Sequence, residues 1–183
     1  IACAPERDPG RGIILVSIDT LRADHVEAYG AAPGSTPNLA RLAEESVVFD
    51  ACFSQSNETL TSHGSLFASR ITSHIRAEDH DFTIPDTVPT LAGTLRDAGF
   101  RTGAMVAGGH LARVFGLDDG FEVYQETAWW GSFQETVPMG LRWLDDAPAD
   151  GRPFFLFLHG YDAHDPYVHP ALFARLATPG RPN

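Results

Sequence analysis

GIILVSID, residues 12–19, is a continuously apolar run rich in Ile and Val that ends in a carboxylate. Such a run is typical of a strand that is covered on both faces, as the strands of parallel sheets are. The last residue of the run, Asp19, then lies at the edge of the sheet where ligands bind in open α/β folds.

Strand-like and helical segments alternate along the rest of the chain. Apolar runs predict three further strands at residues 47–53, 100–106 and 153–159, and helical periodicity predicts helices at residues 37–45, 62–70, 89–98 and 132–146. This alternation predicts an α/β fold with a mostly parallel sheet and helices on both faces. The irregular stretch 108–126 is predicted to be a functional loop, because long irregular segments are uncommon in compact domains.

The chain of 183 residues is acidic, with 13 Lys and Arg against 24 Asp and Glu and a net charge of −11. This charge disfavours nucleic acid as a partner. An acidic protein can still act on an anionic ester if positive charge is supplied locally, and a bound divalent cation would supply it. The composition therefore directs attention to metal ligands.

Cysteine usage carries little information about the core. Cys3 and Cys52 form neither a disulfide framework nor a zinc-type spacing. Residues 1–11 are predicted to be a loose leader, and their start, Ile1-Ala2-Cys3, resembles the end of a bacterial lipoprotein processing site. This interpretation predicts a lipid on Cys3, a membrane tether and an extracytoplasmic location in the bacterial envelope. The alternative is that Ile1 marks an arbitrary boundary.

Polar side chains follow the predicted strands where each strand ends. Asp19 follows the first, Thr59 the second, His110 the third, and His159 and His164 flank the exit of the fourth. The carboxyl ends of parallel strands meet at one rim, so these side chains are expected to converge. Carboxylate oxygens suit calcium, magnesium or manganese, and a hydroxyl beside a helix amino terminus suits the oxygens of an anionic group. His110 and His164 could hold the ester oxygens or protonate the leaving group.

A family resemblance rests on consecutive blocks that run in order from residue 12 to residue 170. The blocks are IILVSIDTLRADHVEAYG, TPNLARLAEESVVFDACF, TLTSHGSLFAS, TLAGTLRDAGFRTGAMV, GFEVY and PFFLFLHGYDAHDPY. Together they resemble the sulfatase-like hydrolases of the alkaline phosphatase superfamily. The resemblance implies an alkaline-phosphatase-like three-layer sandwich, of which residues 12–183 would be the amino-terminal part. It also implies a divalent metal site and hydrolysis of small-molecule or glycan esters of sulfate, phosphate or phosphonate.

Four positions of the resemblance concern the metal and the nucleophile. Asp19 matches the first metal aspartate of the family, and Thr20 occupies the place of a second aspartate. Thr59 falls where the family has the Cys or Ser of Cys-x-Pro-Ser-Arg, which true sulfatases convert to formylglycine. His63 stands in place of the arginine of that block. Calcium is the favoured ion, with manganese, magnesium or zinc as alternatives.

The departures from the family pattern change the expected mechanism. Threonine cannot yield the aldehyde of formylglycine, because its extra methyl group would give a ketone. Direct attack by the Thr59 hydroxyl remains, which resembles the phosphodiesterase and phosphotransferase branches of the superfamily. His110 aligns with the histidine of a Gly-Lys-x-His block in which Gly108 replaces the lysine, and His164 matches the family's active-site histidine.

Two alternatives stay open. The chain could keep the fold as a binding protein without activity, since Thr20, Gly108 and His63 replace an acid, a lysine and an arginine.

The family's later Asp-His metal block is absent before Asn183, so the protein is expected to continue and this piece alone to be inactive. A zinc site made of His159, Asp162, His164 and His169 is disfavoured by its spacing.

Overall fold

Four parallel strands form the sheet at the centre of the computed structural model, which describes residues 12–74, 83–85 and 87–165. The strands are β1 (Gly12–Ile18), β2 (Arg101–Val106), β3 (Val123–Glu126) and β4 (Phe154–Gly160). Their order across the sheet is β1-β4-β2-β3, and every pairing is parallel. The predicted parallel α/β architecture is confirmed.

Four α-helices connect the strands, together with short 3₁₀ turns. The helices are α1 (Pro37–Glu44), α2 (Thr59–Ala68), α3 (Leu91–Asp97) and α4 (Phe133–Asp145). The 3₁₀ turns are Ala23–His25, Glu27–Tyr29, Thr72–His74, Gly109–Leu111 and Arg113–Phe115. Each predicted helix is present, although α2 begins three residues earlier than the sequence pattern indicated.

Successive side chains of the central strand β4 point alternately into two apolar layers. Both faces of this strand are therefore buried. Phe155 and Phe157 pack with residues of α2 and α3 on one face of the sheet. Leu156 and Leu158 pack against α4 on the other face. Two helical layers therefore enclose the sheet, which gives the expected three-layer sandwich.

One predicted strand is absent, and one strand was not predicted. Residues 47–53 form no strand, and Val47, Phe49 and Phe53 are 80%, 67% and 84% exposed. Their strand-like composition has no neighbouring strand to pair with, and strand propensity depends strongly on such context. Within the predicted loop 108–126, the structure instead contains β3, which pairs with β2. Its sequence, VYQE, is too short and polar to signal a buried strand.

The first strand is less covered than its sequence predicts. Among the described residues β1 pairs only with β4, so it forms an edge of the sheet. Ile13, Ile14 and Val16 are 44%, 53% and 51% exposed, although the run was expected to be covered on both faces. The register of β1 with β4 is nevertheless regular over its whole length, and this pairing fixes the position of the residue that follows it.

Some expectations concern residues outside the described ranges. The leader 1–11 with Cys3 and the segment 166–183 with His169 lie outside them, so the domain boundaries remain predictions. Within the described ranges, no helix combines the length and the apolarity needed to cross a lipid bilayer.

A buried threonine joins α3 to the turn before β3. The Thr90 hydroxyl accepts a hydrogen bond from the Gly93 amide at 2.9 Å and donates one to the Asp119 carbonyl at 2.9 Å. Thr90 is 3% exposed, so both partners depend on it for hydrogen bonding. The close approach also requires Gly120, where an added Cβ would lie 2.0 Å from the Gly93 nitrogen.

Replacing Thr90 with Val keeps the side-chain shape and removes both hydrogen bonds. We expect Thr90→Val to lower the free energy of unfolding by about 1–3 kcal/mol, because the buried Gly93 amide loses its partner and the hydrogen bond to the Asp119 carbonyl is also lost. Urea denaturation would measure the loss. Thr94→Val, at an exposed position of the same helix, is the control and should change stability by less than about 0.5 kcal/mol. Equal effects of the two substitutions would contradict the capping role.

Candidate active site

The carboxyl ends of β1, β4 and β2 meet at one rim of the sheet. The pairing of β1 with β4 continues one step past the strand, where the Asp19 amide donates to the Gly160 carbonyl at 3.1 Å. Tyr161 follows β4 directly, and Gly108 to Leu111 follow β2. The rim therefore gathers residues that are far apart in the chain, as the parallel topology predicts.

A carboxylate and a hydroxyl meet at this rim. The Thr59 hydroxyl donates a hydrogen bond to Oδ2 of Asp19 at 2.8 Å, across 40 positions of sequence. Nε2 of His159 lies 3.3 Å from the same carboxylate oxygen. Asp19 is only 6% exposed, and His159 is fully buried. The contact joins the two residues on which the expected chemistry depends.

The environment of Asp19 favours its charged form. Burial alone would raise the pKa of the carboxyl group, but hydrogen bonds from His159 and Thr59 outweigh burial and lower the pKa below its usual value. Asp19 is therefore ionised at neutral pH and accepts the Thr59 proton in the hydrogen bond.

The amino terminus of α2 presents Thr59 at the rim. Glu58 is extended, with φ −106° and ψ 140°, and its amide donates to the Ser56 hydroxyl at 3.1 Å. The first α-helical bond runs from the Ser62 amide to the Glu58 carbonyl. The amides of residues 59–61 come before this bond, so they can bind the oxygens of an anion.

A pocket of about 290 Å³ opens at this helix terminus. It brings together four of the six predicted site residues, namely Thr20, Thr59, His110 and His164. The pocket is lined by Thr20, Asn57, Glu58, Thr59, Leu60, Thr61, His110 and His164. His110 is exposed, and His164 directs Nδ1 to the Asp165 carbonyl at 2.6 Å. Because a carbonyl only accepts, Nδ1 of His164 carries a proton.

His63 does not line this pocket. Its Nδ1 lies 2.7 Å from the Thr59 carbonyl and its Nε2 lies 2.9 Å from the Ser17 hydroxyl. The carbonyl requires a proton on Nδ1, so in the neutral ring Nε2 accepts from Ser17. Burial, followed by the nearby His159, lowers the pKa of His63 to about 4. His63 therefore anchors the start of α2 to β1 as a neutral ring.

Tyr161 belongs to the site although the sequence analysis did not single it out. Its side chain is 5% exposed. The His110 amide donates to its hydroxyl at 3.3 Å. Burial, followed by the charge of Asp19, raises the pKa of Tyr161 to about 12. Its position directly after the last strand was the only available signal.

Two non-glycine residues beside the pocket adopt left-handed backbone conformations. Thr20 has φ +56° and Trp130 has φ +65°, which are costly for β-branched and bulky residues. The Thr20 hydroxyl donates to the Ala163 carbonyl at 2.8 Å. The Trp130 ring lies 4.6 Å from that of His164 and 4.9 Å from that of Tyr161. Backbone strain thus occurs on both sides of the pocket.

Gly108, at the position where the family resemblance places a lysine, has a backbone that excludes a side chain. Its φ is +68° and its ψ is −143°, a region that essentially only glycine adopts. An added Cβ would lie 3.0 Å from the Thr127 carbonyl oxygen and 3.2 Å from that of Ala128.

The described residues include oxygen donors of the kind that a hard cation prefers. Asp19 offers hard carboxylate oxygens, and Thr59 adds a hydroxyl oxygen beside it, a donor set that suits calcium or magnesium. No group of three His, Cys, Asp or Glu side chains converges as ligands within residues 12–74, 83–85 and 87–165. The donors present therefore fit a hard cation, whose remaining ligands would come from outside these ranges.

Solved structures with the same fold belong to enzymes of one superfamily. A phosphonate monoester hydrolase of Agrobacterium radiobacter is 19% identical with a TM-score of 0.75, over 92% of this chain and 44% of that chain. BT4656, solved with its substrate D-glucosamine-2-N,6-O-disulfate, is 19% identical with a TM-score of 0.79, over 93% and 39%. The lipoteichoic acid synthase LtaP of Listeria monocytogenes is 15% identical with a TM-score of 0.63, over 88% and 43%.

These likenesses show an alkaline-phosphatase-like α/β fold. The sequence profile of the sulfatase family matches residues 11–178, and the chain belongs to this family. The chain spans less than half the length of the three solved structures described above. Sequence comparison finds no match among curated proteins.

The depressed pKa of His63 makes stability depend on pH. The unfolded chain binds a proton at this residue below about pH 6.5, whereas the folded chain does so only below about pH 4. The contribution of His63 to the free energy of unfolding is therefore fully present above pH 6.5. It decreases as the pH is lowered, by about 2 kcal/mol from pH 7 to pH 5.

His63→Gln removes the titrating ring and should flatten this slope in urea denaturation at the two pH values. His25→Gln, at an exposed histidine, is the control and should retain the slope. An unchanged slope in His63→Gln would show that the buried ring is not its source.

Proposed function

We propose that this chain carries the nucleophile and the first metal ligand of an ester hydrolase that acts on phosphate, phosphonate or sulfate esters. The hydrogen bond from Thr59 to Asp19 at 2.8 Å is the observation that carries the proposal. It supplies a hydroxyl at a helix amino terminus with its proton already directed to an ionised carboxylate.

In the proposed first half-reaction, the Thr59 oxygen attacks the phosphorus or sulfur atom of the ester. Its proton leaves along the hydrogen bond to Asp19. The amides at the start of α2 hold the non-bridging oxygens of the transferred group. His110 or His164, which line the same pocket, gives a proton to the departing alcohol oxygen. In the second half-reaction, water attacks the covalent intermediate and releases Thr59.

A divalent cation, when bound at Asp19, would supply positive charge next to the reacting oxygens. Asp19 would hold it, and Thr20 lines the pocket at the place where the family resemblance has a second carboxylate. Calcium is the favoured ion, and manganese, magnesium or zinc are the alternatives. The Thr20 hydroxyl is engaged with the Ala163 carbonyl, so this chain would bind the cation less tightly than a pair of carboxylates.

An alcohol nucleophile favours phosphoryl over sulfuryl transfer. The aldehyde hydrate of formylglycine cannot form at Thr59, so a covalent ester on the threonine oxygen is the expected intermediate. LtaP, which has the same fold, is a synthase. Transfer of the group on Thr59 to an alcohol acceptor, instead of to water, is therefore a second candidate outcome of the same intermediate. The envelope location and the tether through Cys3 are proposals that rest on the amino-terminal sequence.

Thr20→Asp tests the metal proposal independently of turnover. Aspartate tolerates the left-handed backbone better than threonine, so the substitution adds a carboxylate to the pocket without added strain. We expect calcium affinity of the full-length protein, measured by calorimetry, to rise about tenfold or more. Asp24→Asn, at an exposed carboxylate, should leave affinity unchanged, whereas Asp19→Asn should abolish binding. Calcium binding that ignores Asp19 would contradict the assigned ligand.

Turnover tests the nucleophile. The full-length protein is incubated with 4-nitrophenyl sulfate, bis(4-nitrophenyl) phosphate or 4-nitrophenyl phenylphosphonate, with calcium, manganese or zinc in turn. We expect Thr59→Ala to lower kcat by about 10³-fold or more, because the covalent route is lost, and Thr59→Ser to retain part of the activity. Thr61→Ala removes another hydroxyl from the same pocket and serves as the matched control.

The remaining outcomes separate the alternatives. Full activity of Thr59→Ala would place the chemistry elsewhere in the protein. Binding of an ester without turnover of any probe would favour a binding protein that has kept the fold and lost the activity.

A further inference from the structure

His159 is buried near the end of β4, and its ring forms a hydrogen bond at one nitrogen only. The ring is 0% exposed and packs edge-on against the rings of His63, at 5.4 Å, and Tyr161, at 4.7 Å. Its Nε2 atom lies 3.3 Å from Oδ2 of Asp19. Its Nδ1 atom is buried and has no hydrogen-bond partner among the residues that the structure describes. Within that part of the chain, the contact with Asp19 is therefore the one hydrogen bond of the ring.

The direction of this hydrogen bond follows from the carboxylate. Asp19 is ionised at neutral pH, and an ionised carboxylate only accepts, so Nε2 of His159 carries the proton. A buried polar atom without a partner costs free energy, and an apolar side chain of similar size would avoid that cost at Nδ1. The polarity of this ring therefore benefits Asp19 and no other described residue.

Consecutive residues of β4 hold Asp19 by its main chain and by its side chain. The Asp19 amide donates to the Gly160 carbonyl at 3.1 Å, and His159 donates to Oδ2. The Thr59 hydroxyl donates to the same oxygen at 2.8 Å. The other oxygen, Oδ1, has no hydrogen bond to any described residue. Two donors on one oxygen fix the orientation of the carboxylate and leave its second oxygen available.

We propose that His159 is a positioning residue of the candidate active site. Its Nε2–H group holds the Asp19 carboxylate with Oδ2 toward Thr59, which leaves Oδ1 for the cation. This inference rests on the proposed function. His159 contacts neither the ester nor the cation and keeps its proton throughout, so it acts only through Asp19. Hydrogen bonds of this kind commonly orient carboxylates that bind metal ions.

Without this hydrogen bond the carboxylate could rotate about its Cβ–Cγ bond. The contact between Thr59 and Oδ2 would then exist for only part of the time, and the cation would lose a fixed ligand. The proposed first half-reaction needs both, so loss of the donor should lower kcat and calcium affinity together. KM for the ester should change little, because the amides at the start of α2, and not Asp19, hold the ester in the proposal.

His159→Leu removes the donor and keeps a buried side chain of similar volume. In the full-length protein, we expect calcium affinity measured by calorimetry to fall about 10-fold or more. With the most effective of the three 4-nitrophenyl probes, kcat should fall about 10- to 100-fold while KM stays within about threefold of the wild-type value. Unchanged calcium affinity and kcat in His159→Leu would overturn the inference.

His159→Gln tests for rescue. The glutamine amide can donate from near the position of Nε2, so calcium affinity and kcat should return to within about threefold of the wild type. Equal losses in His159→Leu and His159→Gln would show that the packing of the ring, and not its N–H group, is what the site requires.

A measurement on the wild-type protein does not depend on the folding of any variant. Nuclear magnetic resonance of histidine rings labelled with nitrogen-15 distinguishes a nitrogen that carries a proton from one that does not. The His159 ring can be identified by its proximity to the Tyr161 ring. In the calcium-free full-length protein at neutral pH, Nε2 should carry the proton. A proton on Nδ1 alone would leave no donor for Asp19 and would contradict the proposal.

Thr102→Val is the matched control for loss of stability. Thr102 is also fully buried, near the start of β2, and its hydroxyl donates to the Gly120 carbonyl at 2.8 Å, at the opposite end of the sheet from Asp19. The substitution should lower the midpoint of urea denaturation and leave calcium affinity and kcat unchanged. A comparable fall of calcium affinity in Thr102→Val would mean that lost stability alone explains His159→Leu, which would also overturn the inference.

The failures of the two proposals are distinguishable. Calcium binding that survives Asp19→Asn, or full activity of Thr59→Ala, would overturn the proposed function and this inference with it. Loss of calcium binding in Asp19→Asn, together with wild-type affinity and kcat in His159→Leu, would overturn the role of His159 alone. A wild-type protein that binds no calcium and turns over none of the probes would overturn both.

Discussion

The parallel pairing of β1 with β4 is the constraint on which the site depends. This ladder runs from Gly12 opposite Phe154 to Ile18 opposite Gly160, and it continues through the Asp19 amide. It places the Asp19 carboxylate, at the end of β1, and the rings of Phe157 and His159, on β4, next to α2. A shift of the register by one residue would turn Asp19 to the opposite face of the sheet and separate it from Thr59.

The polar groups at this rim are joined by hydrogen bonds between separate elements. Thr59 of α2 and His159 of β4 both contact Oδ2 of Asp19, and the His110 amide donates to the Tyr161 hydroxyl. Beneath the rim, the neutral ring of His63 ties the start of α2 to β1. The helix terminus is thus fixed on two sides, which is what a reacting group needs if its geometry is to hold. Family membership suggests the chemical class, and these contacts indicate the residues of the proposed site.

Much of the fold could be predicted from the sequence, because the apolar runs of β1, β2 and β4 and the periodicity of α3 and α4 reflect burial directly. The strand predicted at 47–53 failed because strand formation requires a partner that the local sequence does not reveal. For the candidate site, position after a strand was sufficient to predict that Asp19, His110 and His164 lie at one rim, whereas Thr59 lies there at the start of α2 and follows no strand among the described residues. The same signal did not single out Tyr161, whose hydroxyl accepts a hydrogen bond from the His110 amide.

Gly108 has a consequence for how this chain can change over time. Its backbone angles and the carbonyl oxygens around its Cα leave no room for a side chain, so a single codon change to lysine would disturb the loop. A lysine at this position would require rearrangement of residues 127 and 128. A new positive charge beside the pocket would therefore be gained more easily from another segment than from this loop.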